Sequence, residues 1–305
     1  MKNKINILLI LGATVLFSLH CSPTNDTPDL YPDLKIGLVA DPQYENIDIA
    51  GTRHYRESPG KLRSAIDTFN MYGVDLVQTL GDVINGKWES FDSILPVYKN
   101  LGTIKSYHLL GNHEFAVEEQ FLPELLSKLD MKNFYYSYSL KGWRFIVLDG
   151  TDYMKASLKL HPEYSPEKLD EYRAMAKSNN NYEWNGAIGI EQQKWLSLQL
   201  DSAQKMNEKV ILFCHMPVKS ILISSGNLLN DYEILPIIES YDCVKAFING
   251  HFHEGGVSGM GKIKFITIKG MVETTVNSFA ILEIYQNQIK INGFGNQGDF
   301  VFEFD

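Results

Sequence analysis

The sequence predicts an α/β domain with a β-rich C-terminal end, and two observations support this fold class. Up to residue 262, apolar runs typical of buried strands alternate with segments of helical periodicity. From residue 263 onward, short alternating strands follow one another without helices between them. The chain has 305 residues, 44% of them hydrophobic, which is enough for one large domain or two ordinary ones.

The predicted elements follow in order along the chain. Strands are predicted at residues 35–40, 74–80, 104–110, 144–148, 209–213 and 244–248. Helices are predicted between several of them, at residues 61–72, 91–101, 118–129, 191–205 and 232–240. The C-terminal strands are predicted in KIKFITIKG, SFAILEIY, QIKINGF and VFEF.

Residues 150–188 break this alternation and form a predicted insertion. They are rich in Tyr, Asn, Lys and Glu, and Pro162 and Pro166 interrupt them. A long insertion of this kind is usually either a functional lid or disordered. Its aromatic side chains can stack on a nucleobase or pack the insertion on the body, and we favour packing for any one of them: Tyr153, Tyr164, Tyr172, Tyr182 and Trp184.

The N-terminus is typical of an exported protein. Two lysines precede an apolar run at residues 5–19, which is shorter than the roughly 20 residues that span a bilayer. We interpret residues 1–21 as a signal peptide, residues 22–33 as a polar linker and residues 34–305 as the folded domain. Cys21 then predicts a periplasmic or cell-surface lipoprotein, although His20 precedes Cys21 where lipoproteins usually have a small residue. Simple secretion and an uncleaved anchor are the alternatives.

Composition limits the partners. The formal net charge is −9, and no Lys/Arg cluster is visible, so nucleic acid and anionic membrane surfaces are disfavoured. We expect contact with a membrane only through the N-terminal anchor. Cys214 and Cys243 lie in separate apolar runs, which argues against a disulfide framework.

Polar residues capable of binding metal follow five of the predicted strands. They occur in Asp41-Pro42-Gln43, GDVIN, GNHEF, CHMP and NGHFHEGG. Each has an ordinary alternative role as a helix cap, a turn residue or a core histidine. Because loops at the carboxyl ends of strands converge on one edge of an open sheet, five such loops together predict a shared site.

The ordered motifs resemble the calcineurin-like metallophosphoesterase signature, spread over most of residues 34–255. More narrowly, the sequence is similar to manganese-dependent ADP-ribose/CDP-alcohol diphosphatases, whose first motif also carries Gln in place of His. The stretches that carry this similarity are ADPQY, GTRHYRES, GNHEF, RFIVLDGTD, GIEQQKWL, GHFHEGG and GMVET. The resemblance implies a four-layer α/β/β/α sandwich of two mixed sheets.

The resemblance also implies two divalent metal ions, with Mn²⁺ preferred and Fe or Zn as alternatives. It assigns Asp41, Gln43, Asp82 and His253 to one ion, and Asp82, Asn112, His215 and His251 to the other. Two metal ions held in this way activate a bridging water, which attacks a phosphoryl group as hydroxide. His113 matches the family's catalytic histidine, which steadies the transition state or protonates the leaving oxygen; the alternative is a structural histidine.

Four residues each have two alternative roles. Arg53 and Arg56 follow the first motif and are predicted to bind the second phosphate of a diphosphate, or else to be solvated loop charges. Asp149 either orients a ligand histidine or caps a helix or turn. Gln43 is expected to coordinate through its amide oxygen and to bias the site toward manganese; alternatively it only bonds a loop carbonyl.

The function implied is cleavage of the phosphoanhydride bond in nucleoside-diphosphate-linked small molecules of the ADP-ribose or CDP-alcohol type. The alternatives are a phosphodiesterase or phosphomonoesterase acting on another organic phosphate, and a non-catalytic scaffold. Scaffolds of this fold have usually lost metal ligands, whereas this sequence keeps seven candidate positions and His113.

Overall fold

The structure is a computed structural model that describes residues 31–176, 182–219, 226–259 and 261–304. The predicted signal peptide, Cys21 and most of the predicted linker lie outside the described residues. Among the helices of the described part, none has both the length and the apolar character needed to cross a membrane.

Within these described ranges, twelve strands form two six-stranded mixed sheets. The first sheet has the order β12-β11-β10-β1-β2-β3, and the second has the order β4-β5-β6-β7-β9-β8. The strands of the first sheet are β1 (Leu34–Val39), β2 (Leu76–Thr79), β3 (Lys105–Tyr107), β10 (Ser278–Ile284), β11 (Gln288–Gly295) and β12 (Phe300–Glu303). Those of the second are β4 (Tyr136–Leu140), β5 (Trp143–Val147), β6 (Lys209–Cys214), β7 (Val244–Asn249), β8 (Gly256–Ser258) and β9 (Lys264–Thr267).

In the part of the chain that the structure describes, six α-helices accompany the sheets. They are α1 (Ser58–Tyr72), α2 (Ser90–Tyr98), α3 (Leu125–Lys128), α4 (Pro166–Met175), α5 (Ile190–Lys205) and α6 (Asp231–Glu239). One core cluster packs α1 and α2 on the first sheet, and another packs α5 and α6 on the second. A third cluster joins the facing sides of the two sheets. The predicted four-layer sandwich of two mixed sheets is confirmed.

The strand β1 shows how sequence alternation builds these layers. Leu34, Ile36 and Leu38 belong to the cluster between the sheets, whereas Val39 belongs to the cluster under α1. Gly37 lies on the helix side, where a Cβ atom would stand 2.9 Å from the ring of Phe69. The missing side chain therefore lets α1 pack close to the sheet.

At two places the predicted secondary structure differs from the observed one for local reasons. The sequence prediction missed β4, which pairs with β5 through a two-residue turn at Lys141 and Gly142. Both turn residues have positive φ, 50° and 80°, as the tight turns of β-hairpins require. The helix predicted at residues 118–129 is largely a 3₁₀ segment at Glu119–Glu124 with Pro123 inside it, followed by the short α3.

The described part of the insertion at residues 150–188 is folded. It contains a 3₁₀ turn at Ser157–Lys159 and α4, whose N-cap Ser165 accepts a hydrogen bond from the Lys168 backbone. Tyr172 is buried, and the rings of Tyr153 and Tyr164 stack at 4.5 Å. For these three aromatics the structure shows packing.

Candidate active site

The five polar loops meet where strands of both sheets end. Asp41 and Gln43 follow β1, Asp82 follows β2, and Asn112 follows β3 at a short distance along the chain. From the second sheet, His215 follows β6 directly, and His251 and His253 follow β7. The structure therefore brings all seven predicted ligand residues together: five line a cleft of about 640 Å³, and the other two, Asp41 and His215, lie 3.5 Å from His253 and 3.2 Å from Asn112.

The backbone at this cleft is strained. Asp41, Gln43, Asp82 and His251 all have positive φ, between 43° and 69°, in the left-handed region that non-glycine residues rarely adopt. Such conformations cost of order 1–3 kcal/mol each and persist only where the surrounding structure enforces them. Here the strained turns direct polar side chains from the ends of three strands, β1, β2 and β7, into one space.

One group of donor atoms surrounds His215 Nε2. Asn112 Oδ1 lies 3.2 Å from it, Asp82 Oδ2 3.2 Å, and His251 Nδ1 3.1 Å. His215 Nδ1–H donates to the Leu80 carbonyl oxygen at 2.7 Å, which fixes the ring orientation and leaves Nε2 facing the cleft. The side-chain atoms of Asp82, His215 and His251 that can bind a metal all lie within 4.8 Å of one another.

A second group shares Asp82 and surrounds His253 Nε2. Gln43 Nε2 lies 3.2 Å from this nitrogen and 3.2 Å from Asp82 Oδ2, and Asp41 Oδ1 lies 3.5 Å from His253 Nε2. His253 Nδ1–H donates to Glu273 Oε1 at 2.6 Å, so Nε2 faces the cleft here too. Asp82 therefore joins the two groups, as the resemblance implies.

Glu114 holds two of the ligand loops together. Its buried carboxylate accepts backbone N–H bonds from Asp82 at 2.9 Å, Val83 at 2.6 Å and Gly111 at 2.7 Å. Gly111 is required at this point because a Cβ atom there would lie 2.2 Å from Asp82 Oδ1. Burial and the neighbouring Asp82 raise the pKa of Glu114, while the N–H donors act in the opposite direction.

His113 lies at the cleft without being part of either donor group. Its Nδ1–H donates to the Asn85 carbonyl oxygen at 3.3 Å, and its Nε2 stands 3.9 Å from Asp82 Oδ2. Its backbone N–H donates to Asp82 Oδ1 at 2.8 Å. The ring is partly exposed to the cleft, a position from which Nε2 can exchange a proton with a bound ligand.

The electrostatics of the donor set fit two divalent cations. Burial lowers the pKa of His253, but hydrogen bonds to Asp41 and Glu273 outweigh it and raise that pKa to about 9. Burial opposes charge on His215 as well, yet Asp82 raises its pKa to about 10. Carboxylates that stabilise buried imidazolium also stabilise a metal ion when the proton leaves. Gln43 Oε1, which is buried and accepts no hydrogen bond from a described residue, is a further oxygen donor.

A family model described as calcineurin-like phosphoesterase matches residues 34–255, which include both donor groups and His113. The chain belongs to the calcineurin-like phosphoesterase family. It is a metal-dependent phosphohydrolase, and the arrangement of its carboxylate, amide and imidazole donors suits that chemistry.

Full-length relatives are similar to this phosphoesterase. A manganese-dependent ADP-ribose/CDP-alcohol diphosphatase from Arabidopsis thaliana is 27% identical, with 89% of this chain and 97% of the relative covered. The enzyme of the same name from Oryza sativa is 27% identical, over 88% of this chain and 93% of the relative. A dimetal phosphatase from Danio rerio has a similar structure, with a TM-score of 0.78, 25% identity, and coverage of 90% of this chain and 100% of that one.

The two arginines predicted to bind substrate lie in different surroundings in this phosphoesterase. Arg53 lines the cleft, and its Nε lies 3.6 Å from Glu273 Oε1. The structure does not bring Arg56 to the cleft lining; its guanidinium bonds Asn46 at 2.8 Å and Asp48 at 3.0 Å on the surface. Arg56 therefore matches the alternative of a solvated loop charge.

Among the described residues, the hydrogen bonds of Asp149 go to Thr151 and Gln192 and not to a ligand histidine. Its Oδ1 accepts the backbone N–H of Thr151 at 2.8 Å and the hydroxyl of the same residue at 2.5 Å, which is the turn-capping alternative. The carboxylate that orients a histidine is Glu273, within GMVET. In the sequence, this motif carries the family resemblance but does not by itself assign a role to Glu273. The signal was its position after β9, parallel to β7 in the same sheet.

Proposed function

We propose that this phosphohydrolase is a manganese-dependent diphosphatase that cleaves the phosphoanhydride bond of nucleoside-diphosphate-linked small molecules, of the ADP-ribose or CDP-alcohol type. The observation that carries the proposal is the pair of donor groups joined by Asp82, with His113 Nε2 beside them. Support for the substrate class comes from the names of relatives that match most of this chain.

Each residue has a task in this proposal. The two donor groups would hold two divalent ions, which would supply Lewis acidity, a water of lowered pKa and charge neutralisation for an in-line displacement. Asp82 holds both sites in register, and the Leu80 carbonyl and Glu273 keep His215 and His253 in the ligating tautomer. Arg53 binds the phosphate that is not attacked, and His113 Nε2 donates a proton to the leaving oxygen.

A hydrolysis panel tests the substrate class. Protein stripped with chelator and reloaded with Mn²⁺, Zn²⁺ or Fe²⁺ is assayed on ADP-ribose, CDP-choline, a cyclic nucleotide and a simple phosphomonoester. We expect kcat/KM to be highest for one of the two diphosphates and with Mn²⁺. Asp82→Asn is the matched negative control, since it keeps the side-chain volume but removes the bridging charge and should release both metals.

The outcomes distinguish the alternatives. A preference for the cyclic nucleotide or the monoester would make the protein a phosphodiesterase or phosphomonoesterase at the same site. Metal-loaded protein that turns over none of the four substrates would favour a binding scaffold.

We also propose that the enzyme is exported and held at a periplasmic or cell-surface membrane by lipid on Cys21. The apolar run at residues 5–19 and the polar residues after Cys21 support this. Mass spectrometry of the protein from its native host should show a lipidated N-terminal Cys21. An unmodified Cys21, or cleavage elsewhere, would contradict the proposal.

A further inference from the structure

Tyr182 and Trp184 form an aromatic pair at the cleft. Their rings stack in parallel, with centroids 4.5 Å apart and an interplanar angle of 8°. Both line the same cleft as Gln43, Asp82 and His113. The pair nevertheless keeps 45% and 48% of its surface exposed.

Packing does not account for this exposure. Elsewhere in the insertion, Tyr172 is 1% exposed within an apolar cluster, and Tyr153 stacks on Tyr164 and meets Tyr172 edge-on. An aromatic ring that stabilises the body loses its contact with water, since burial is the source of the stabilisation. Tyr182 and Trp184 instead present aromatic surface to a cleft.

The surroundings of the aromatic pair and of Arg53 differ in chemistry. Trp184 is two residues from Gly186, whose N–H contacts Met216 Sδ at 3.2 Å, and Met216 follows the ligand His215. At the other donor group, Arg53 is joined to His253 through Glu273. Among the described residues that line the cleft, Arg53 is the only Lys or Arg. The aromatic pair is thus connected through Gly186 and Met216 to the chain beside His215. Arg53 is connected through Glu273 to His253.

We propose that Tyr182 and Trp184 are the platform on which the substrate's nucleobase stacks. This inference deepens the proposed function and rests on it. A nucleoside diphosphate has an aromatic base at one end and two anionic phosphates further along, which complements an aromatic surface, a metal site and Arg53. Because every base has a π-face, stacking tolerates both adenine and cytosine.

The platform is tested with the variant Tyr182→Ala/Trp184→Ala and two substrates. One is ADP-ribose, and the other is its analogue without adenine, which has the same diphosphate and both riboses. Loss of base stacking should lower kcat/KM for ADP-ribose by roughly 5- to 150-fold. Values for the base-free analogue should change less than about twofold. Tyr182→Phe/Trp184→Phe should retain most of the wild-type kcat/KM for ADP-ribose, because it keeps two aromatic ring faces.

Tyr72→Ala is the matched control. Tyr72 is 41% exposed and contacts Phe294, but it is absent from the described lining of the cleft. We expect wild-type kinetics on both substrates. An equal loss on ADP-ribose and the base-free analogue, or no loss on either, would overturn the platform.

A binding measurement separates this inference from the proposed function. AMP should quench tryptophan fluorescence of the metal-loaded wild type, ribose 5-phosphate should not, and Trp184→Phe should remove most of the quenching. Equal affinity for AMP and ribose 5-phosphate would overturn the platform even if ADP-ribose is hydrolysed. If AMP binds through Trp184 but no diphosphate is cleaved, the platform stands and the proposed reaction fails.

Discussion

Replacing Glu114 should loosen the metal site without touching a ligand. The carboxylate is fully buried and accepts backbone N–H bonds from Asp82, Val83 and Gly111. Oε2 accepts from Asp82 and Gly111, and Oε1 accepts from Val83 and, at 3.5 Å, from Ile84. Glu114 is therefore the junction between the loop after β2 and the loop after β3.

The number of orphaned donors sets the expected effect. In Glu114→Gln, the amide oxygen can keep the two bonds of Oε2, but the NH₂ group then faces the Val83 N–H and the more distant Ile84 N–H. Each buried donor without an acceptor costs about 1–3 kcal/mol. In Glu114→Ala all four donors lose their acceptor, so the free energy of unfolding should fall by roughly 3 kcal/mol or more, less what entering water restores.

Urea unfolding of chelator-treated protein measures this effect as a lower midpoint at an unchanged slope. Metal content after dialysis against low Mn²⁺ should also fall, because Asp82 is less firmly held. Glu118→Gln is the control, since Glu118 is exposed and only meets Lys87 at 3.5 Å, and it should stay within about 0.5 kcal/mol of wild type. If Glu114→Gln is as stable as Glu118→Gln, the junction does not hold the loops.

Three further predictions concern two residues of the cleft and the buried Asp149. His113→Ala should keep its metal but lower turnover by roughly 10²- to 10⁴-fold, and loss of metal in that variant would show that His113 is a ligand or a structural group. Gln43→His should still bind two metals, with activation by Mn²⁺ diminished relative to Zn²⁺ or Fe²⁺; an unchanged preference would show that Gln43 does not tune the site. Burial and Asp152 raise the pKa of Asp149 to about 7. Native Asp149 then keeps a proton that the same side chain releases above about pH 4 in the unfolded chain. The free energy of unfolding of the wild type should therefore fall as the pH rises from 4 to 7, and it should fall more than that of Asp149→Asn. Parallel profiles in urea titrations would contradict that pKa.

The layers and the converging loops could be predicted from sequence because both depend on local patterns. Apolar runs placed the central strands within one to three residues of their observed ends, for example 244–248 against Val244–Asn249. Polar residues after those strands had to share an edge once the strands were parallel. Edge strands such as β4 lack this signal, since four of its five residues are only half-buried and their apolar run is broken by serines.

Contacts that depend on long-range geometry could not be predicted in the same way. Arg53 and Arg56 are only three residues apart in the sequence. Arg53 forms a backbone β-bridge with Glu273 and lines the cleft, whereas Arg56 bonds Asp48 at the surface. Glu273 reaches His253 only because the chain after β9 returns to the first motif, where Val272 donates its N–H to the Asp41 carbonyl. No periodicity in the sequence encodes that return.

Gln43 shows where a residue's chemistry, combined with the structure, goes beyond both pattern and resemblance. Its amide nitrogen donates to Asp82 Oδ2, while its amide oxygen is buried without a donor among the described residues. A buried acceptor left unpaired costs about 1–3 kcal/mol, and it sits on a residue whose strained φ of 43° already costs free energy. Turning the amide would direct the oxygen, instead of the NH₂ group, toward Asp82 and His253, which is unfavourable beside a carboxylate unless a cation lies between them. The unpaired amide oxygen and the strained backbone are therefore explained together if Gln43 binds a metal through its oxygen. A hydrogen bond from Gln43 to a loop carbonyl would explain neither.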